Sequence, residues 1–170
     1  MKTIFTSEQI QARVTDMARQ ISADYEGGTI HAIGVMENAF IFMADLVRQL
    51  EPEVVCQFVK PVTRSTAGAH AATTEIVFVP QPEVDGRNVL LVEGIMQTGV
   101  TSEFLQRSLL AAGARVVRIA TLIDRQSERR IELRPDYCGF LYTGGRVFGY
   151  GLEGDGQARR NLPCIASLER

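Results

Sequence analysis

The residues whose types and order could do chemistry fall in one run, Val89-Leu90-Leu91-Val92-Glu93-Gly94-Ile95-Met96-Gln97-Thr98-Gly99-Val100-Thr101. Four apolar residues read as a buried strand that delivers acidic Glu93 to the C-terminal edge of a sheet, where ligands bind in open α/β folds. A short loop then carries Thr98, Gly99 and Thr101 to the start of a helix. Glycine lets backbone N–H groups approach a phosphate closely, the threonines add hydroxyl donors, and a helix N-terminus offers unpaired amides with a favourable dipole. That combination suits a phosphate monoester. With Glu93 accepting from sugar hydroxyls beside it, the implied ligand is a ribose 5-phosphate compound. The same letters also fit a plain helix N-cap, with Thr101 as the capping residue.

Elements must hold this loop in place, and the chain supplies them in alternation. Thr6 and Gln9 make a capping-box pattern, followed by Ile10, Val14, Met17 and Ile21 at helical spacing. Gly27-Gly28 ends that helix. Thr29 to Val35 predicts a strand, Asn38 to Leu50 a second helix stopped by Pro52, and Glu53 to Val59 another strand. Residues 60–73 are small and polar without periodicity and predict a functional loop. Glu75 to Val79 and Asn88 to Val92 predict strands, the latter central and covered on both faces. A helix capped by Thr101 or Ser102 runs to about Ala112, and a strand from Arg115 to Ile123 follows. Shorter strands are expected at Tyr137–Leu141 and Val147–Gly149. Strands alternating with helices mean βαβ units and a mainly parallel sheet, in one α/β domain over residues 1–170.

The 170 residues suffice for one buried core, and 45 % hydrophobic with 22 % charged residues excludes a disordered chain. A net charge of −2 gives no general attraction to nucleic acid or to an anionic membrane. No stretch approaches the roughly 20 apolar residues of a membrane span, and the first residues do not form a signal peptide. The expected location is the cytoplasm. Cys56, Cys138 and Cys164 lie far apart and form no metal-ligand spacing with His31 or His70. They read as small buried hydrophobes, His31 as structural and His70 as exposed. The pairs Arg129-Arg130 and Arg159-Arg160 read as solvated surface or as partners of a ligand phosphate.

Residues 89–101 resemble the phosphoribosyl pyrophosphate signature of the type I phosphoribosyltransferases: apolar strand, acidic pair, two apolar residues, Asp, Thr, Gly, any residue, Thr. Other segments are similar to the hypoxanthine-guanine subgroup. Gly34 to Leu46 resembles its pyrophosphate loop and helix, Arg134 to Phe140 its purine-binding segment, and Val147 to Leu152 with Arg160 to Pro163 its C-terminal hood. The resemblance implies helices on both faces of the sheet and a small hood formed by about residues 142–170 with the N-terminal segment. It also implies roles: Gln97, Thr98, Gly99, Val100 and Thr101 hold the 5-phosphate, and Glu93 meets ribose hydroxyls, directly or through Mg²⁺. Tyr137 stacks on the purine, the Cys138 backbone reads its edge, and Arg125 stands where the family keeps a lysine for the 6-oxo group. Met36, Glu37, Asn38 and Arg160 lie in the pyrophosphate region. A homodimer or homotetramer is usual in the family, with residues 37–50 as a candidate contact.

Departures from the pattern fall on the chemistry. Gln97 replaces an aspartate that handles the proton at purine N7, and an amide exchanges no proton at neutral pH. Gly94 replaces the second acid of the pair, and Gly144 falls where the resemblance expects an Mg²⁺-placing aspartate. Glu37-Asn38 replaces Lys-Gly or Gly-Gly, and Lys60-Pro61-Val62-Thr63 holds no Ser-Tyr. The expectation is therefore a purine salvage transferase, slow or altered, converting a purine base and phosphoribosyl pyrophosphate to the nucleoside monophosphate. The alternative is a catalytically silent purine nucleotide-binding regulator or partner subunit.

Overall fold

Thr6 closes both halves of its capping box: Gln9 N–H donates to Thr6 Oγ1 at 3.3 Å and Thr6 N–H to Gln9 Oε1 at 2.9 Å. Helix α1 (Ser7–Asp24) starts there and buries Ile10, Val14, Met17 and Ile21 along one face. Each such side chain contributes about 1.5–3 kcal/mol on leaving water. The computed structural model describes residues 1–168 except 26, 66–71, 79–81 and 155–157. His70, Val79 and the centre of the 60–73 segment lie outside the described residues.

The main sheet has six strands in the order β4-β3-β2-β5-β6-β7. They are β2 (Ile30–Val35), β3 (Val54–Ser65), β4 (Ala72–Phe78), β5 (Asn88–Met96), β6 (Val116–Asp124) and β7 (Tyr137–Leu141). Five run parallel, and β4 pairs antiparallel with β3. Helices α1 and α2 (Phe40–Val47) cover one face, α3 (Val100–Ala111) the other, and each side has its own apolar cluster. The expected doubly covered α/β sheet is present. A second sheet, β1 (Lys2–Phe5), β9 (Ile165–Ser167) and β8 (Val147–Phe148), forms the hood from the two ends of the chain.

Boundaries differ where tertiary contacts override local pattern. The segment expected as a loop from residue 60 is hairpin at both ends, since β3 continues to Ser65 and β4 begins at Ala72. Helix α2 starts at Phe40, later than expected, because the backbone at Asn38 turns onto Gly94. Strand β5 runs past Val92 to Met96, which has consequences for Glu93.

Candidate functional site

The loop after β5 opens onto the sheet's C-terminal edge. Gly99 caps α3 with φ +81, a left-handed conformation that glycine adopts without strain, so neither Thr101 nor Ser102 is the cap. Val100 N–H donates to Thr98 Oγ1 at 3.3 Å, and among the described residues the amides of Thr98, Gly99 and Thr101 meet no protein acceptor. Arg130 N–H donates to the Thr98 carbonyl at 3.0 Å and Arg129 Nη1 to the Gln97 carbonyl at 3.0 Å, so the loop's carbonyls are tied down while its donors stay open. Arg129 also pairs with Asp124, which is 1 % exposed at the end of β6. Its side chain lies against Gly99, where an added Cβ would sit 3.1 Å from Nη1. One guanidinium thus neutralises a buried carboxylate and braces the loop. The arrangement can receive an anion at a helix N-terminus.

Because β5 is longer than expected, Glu93 sits inside the sheet opposite Thr121 rather than at its edge. It is only 6 % exposed, and its Oε1 has no hydrogen-bond partner. Burial pushes its carboxyl up to about 7, against the opposing pull of the Ser102 hydroxyl and the Arg129 charge.

Beside the loop, which lines it through Gln97, lies a cleft of about 420 Å³. Ile95, Val147 and Leu152 supply its apolar wall, and Asn38, Gln97, Arg125, Glu128, Arg146 and Glu153 its polar rim. Arg160 bridges hood and loop at one end. Its Nη1 donates to Asn38 Oδ1 at 2.7 Å and to the Gly151 carbonyl at 2.6 Å, while Nη2 reaches Glu153 at 3.0 Å and Glu37 at 3.5 Å. Glu37 also pairs with Lys60 at 2.9 Å, and that cation, with Arg160, holds its carboxyl below the usual range. The Met36–Glu37 peptide is cis. At the other end Arg125 Nη2 donates to the Gly144 carbonyl at 3.0 Å and pairs with Glu128 at 2.7 Å.

The phosphoribosyl transferase domain matches residues 1–153 of the chain. This chain belongs to the type I phosphoribosyltransferases. Within that family it falls in the hypoxanthine-guanine subgroup. It is 30 % identical to the hypoxanthine-guanine phosphoribosyltransferase of Aquifex aeolicus over 170 residues, covering 99 % of this chain and 95 % of that protein. The Bacillus subtilis enzyme of the same name is 29 % identical over 168 residues, covering 99 % and 93 %. The solved hypoxanthine-guanine phosphoribosyltransferase of Bacillus anthracis superposes with a TM-score of 0.86 at 31 % identity, covering 99 % and 98 %. That of the Trypanosoma cruzi hypoxanthine phosphoribosyltransferase gives 0.91 at 26 % identity, covering 99 % and 95 %.

This chain places several expected site residues elsewhere. Tyr137 is buried at the start of β7, opposite Ala120, with its hydroxyl donating to Asp24 at 2.8 Å and accepting from Arg118 at 3.1 Å. At about 3.3 Å per residue it stands roughly 13 Å short of the cleft edge and stacks on nothing there. The Cys138 carbonyl is occupied by Arg13 Nη2 at 2.6 Å. Gly144 contributes only its carbonyl, and the hood carboxylate that faces the cleft is Glu153. Gly94 is closed to any side chain: a Cβ there would lie 2.2 Å from the Asn38 carbonyl oxygen. Gln97, Asn38 and Arg125 do meet at the cleft, and Arg160 and Glu37 close its end. Sequence reasoning missed Ile95, Glu128, Arg146, Val147, Leu152 and Glu153, and left Arg129 open between surface and ligand. Only the hood segment Val147 to Leu152 carried a signal for part of that set.

The Mg²⁺ that the family resemblance implies finds a poor donor set. Glu93 is sealed beneath α3, Gly94 has no room for an acid, and Glu37 and Glu153 are held by Lys60 and Arg160. Among the described residues no three His, Cys, Asp or Glu side chains cluster to hold an ion. These residues do not fit a protein-held Mg²⁺.

Proposed function

We propose that this chain is a hypoxanthine/guanine phosphoribosyltransferase-like protein of purine salvage that binds the purine nucleoside 5′-monophosphate well and makes it slowly. One observation carries the reading: the open amides of Thr98, Gly99 and Thr101 at the N-terminus of α3, with Gln97 rather than a carboxylate beside them. The phosphate would sit on the loop Gln97–Thr101. The base would lie against Ile95, Val147 and Leu152, with Arg125 donating to a 6-oxo group. Phosphoribosyl pyrophosphate would have to place its pyrophosphate near Asn38 and Arg160, where the Glu37 and Glu153 carboxylates repel it. Any Mg²⁺ would then be held mainly by the ligand's own phosphates. Without an acid-base group at residue 97, transfer should be slower by about 10²–10⁴.

A second reading, a silent purine nucleotide-binding regulator or partner subunit, is favoured by the carboxylates around Arg160. Two measurements separate them. Calorimetry with IMP and GMP, without metal, should show binding in both cases. Chromatography of hypoxanthine or guanine with phosphoribosyl pyrophosphate and Mg²⁺ should show slow product under the first reading and none under the second. Absence of nucleotide binding at millimolar concentration would reject both. The exposed Phe40 and Phe58 beside α2 and β3 support self-association as a homodimer or homotetramer, which light scattering would detect. The reading places this activity in the cytoplasm, without a nucleic acid or membrane partner. Among the described residues no helix is long and apolar enough to cross a membrane.

A further inference from the structure

The cleft's base end carries an ion pair that the transfer reaction does not need. Arg125 leaves β6 with its N–H on the Met96 carbonyl, and the 3-10 turn Gln126–Glu128 brings Glu128 back three residues later, its N–H on the Arg125 carbonyl at 3.1 Å. The Glu128 Oε1–Arg125 Nη2 distance is 2.7 Å, and both side chains line the cleft. Nη2 spends its hydrogens on Glu128 and the Gly144 carbonyl. Among the described residues Arg125 Nη1 and Glu128 Oε2 make no hydrogen bond, so the pair shows the cleft one donor face beside one acceptor face. Arg125 Nε is buried and without a hydrogen-bond partner, so the guanidinium's free donor toward the cleft is Nη1. Glu128 is held in register by a backbone bond rather than by its own packing, and its side chain is 43 % exposed.

Resting on the nucleotide-binding reading above, we infer that Glu128, paired with Arg125, makes the cleft selective for guanine among purine bases. Guanine presents an acceptor at O6 and donors at N1 and the 2-amino group along one edge. O6 accepts from the guanidinium, and N1–H and the 2-amino group donate to the carboxylate. Hypoxanthine keeps the first two partners and lacks the third. Xanthine turns a 2-oxo group toward the carboxylate, and adenine turns an amine toward the guanidinium and a bare N1 toward the carboxylate. Both oppose like with like. A hydrogen bond to a charged acceptor separates guanine from hypoxanthine by about ten- to a hundredfold.

The test is calorimetric titration of the full chain with GMP, IMP, XMP and AMP, repeated on Glu128→Ala and Glu128→Gln. The native chain is expected to bind GMP at least about tenfold more tightly than IMP, with XMP and AMP weaker still. In both variants the GMP-to-IMP ratio should fall toward one, and XMP should gain on GMP. Equal affinities for GMP and IMP in the native chain overturn the inference and leave the nucleotide-binding reading standing. A GMP preference that survives in both variants assigns it to other groups and also overturns the role of Glu128. Failure of all four nucleotides to bind removes the underlying reading and the inference with it. Glu128 lies on an exposed turn, and circular dichroism of the variants distinguishes misfolding from lost selectivity.

Discussion

Replacing Gly94 by alanine should destabilise the protein far more than a surface methyl normally would. The added Cβ would lie 2.2 Å from the Asn38 carbonyl oxygen, 2.8 Å from its carbon and 2.9 Å from Leu152 Cδ2. Ordinary contact needs about 3.5 Å, so the 36–39 backbone would have to retreat by roughly 1 Å. Retreat is opposed, because a Cβ built on Gly151 would also lie near that carbonyl, at 3.1 Å, and Arg160 holds both Asn38 Oδ1 and the Gly151 carbonyl. Overpacking of this kind costs about 1–3 kcal/mol. In a chain of this length that lowers the midpoint of thermal unfolding by roughly 3–10 °C. Calorimetry of Gly94→Ala reads it directly, and Gly94→Asp should do worse without gaining activity. An alanine variant that melts with the native chain would show that the Asn38 carbonyl does not occupy this space, and the account of the missing acid would fail.

Gln97→Asp meets no such obstacle, since the side chain is exposed on an open loop. It should raise the rate of nucleotide formation from hypoxanthine or guanine by about 10²–10⁴, with thermal stability nearly unchanged; an unaltered rate would place the obstacle at Glu37 and Arg160. Glu93, raised by burial from 4.5 to about 7, keeps its proton longer in the folded chain than in the unfolded one. Its contribution to stability is therefore complete below pH 4.5 and is lost as pH rises through 7, about 3 kcal/mol in all. Denaturant titrations at pH 5 and pH 8 should show that loss in the native chain and a smaller one in Glu93→Gln. Arg129→Met removes the cation that pairs with buried Asp124, costing about 3–5 kcal/mol, and loosens the loop whose Gln97 carbonyl it holds. Adding Asp124→Asn should recover most of the stability but not the nucleotide affinity, which calorimetry would separate.

Periodicity and punctuation made most of this fold legible. The capping box at Thr6, the apolar run at Val89 and the glycines after α1 and α3 each act within a few residues of themselves. The loop from Gln97 to Gly99 was legible for the same reason, because strand, glycine and helix start are neighbours in the chain. What escaped were facts of depth and approach. The polar Glu93 looks like the end of a strand, yet β5 continues three residues beyond it under α3. Tyr137 resembles a ring for a base, but β7 runs four residues beyond it to Leu141, which stands opposite Asp124 at the sheet's edge. Gly94 looked like a lost carboxylate. Its neighbour across space, Asn38, is 56 positions away in sequence and explains the glycine by contact. Arg146 and Glu153 come from a hood whose strands are only two to four residues long and give no periodic signal.

The two walls of the cleft should answer differently to dissolved salt. The floor is braced by Arg129 and Asp124, whose side chains are 14 % and 1 % exposed, and mobile ions reach that pair poorly. The roof is fastened through Arg160, Glu37, Glu153, Arg146 and Lys60, most of them substantially open to solvent. At 1 M ionic strength the Debye length shrinks to about 3 Å, comparable with those separations. Concentrated salt would then unfasten the lid while leaving the cradle beneath it intact, making electrolyte a handle on how readily the cleft opens.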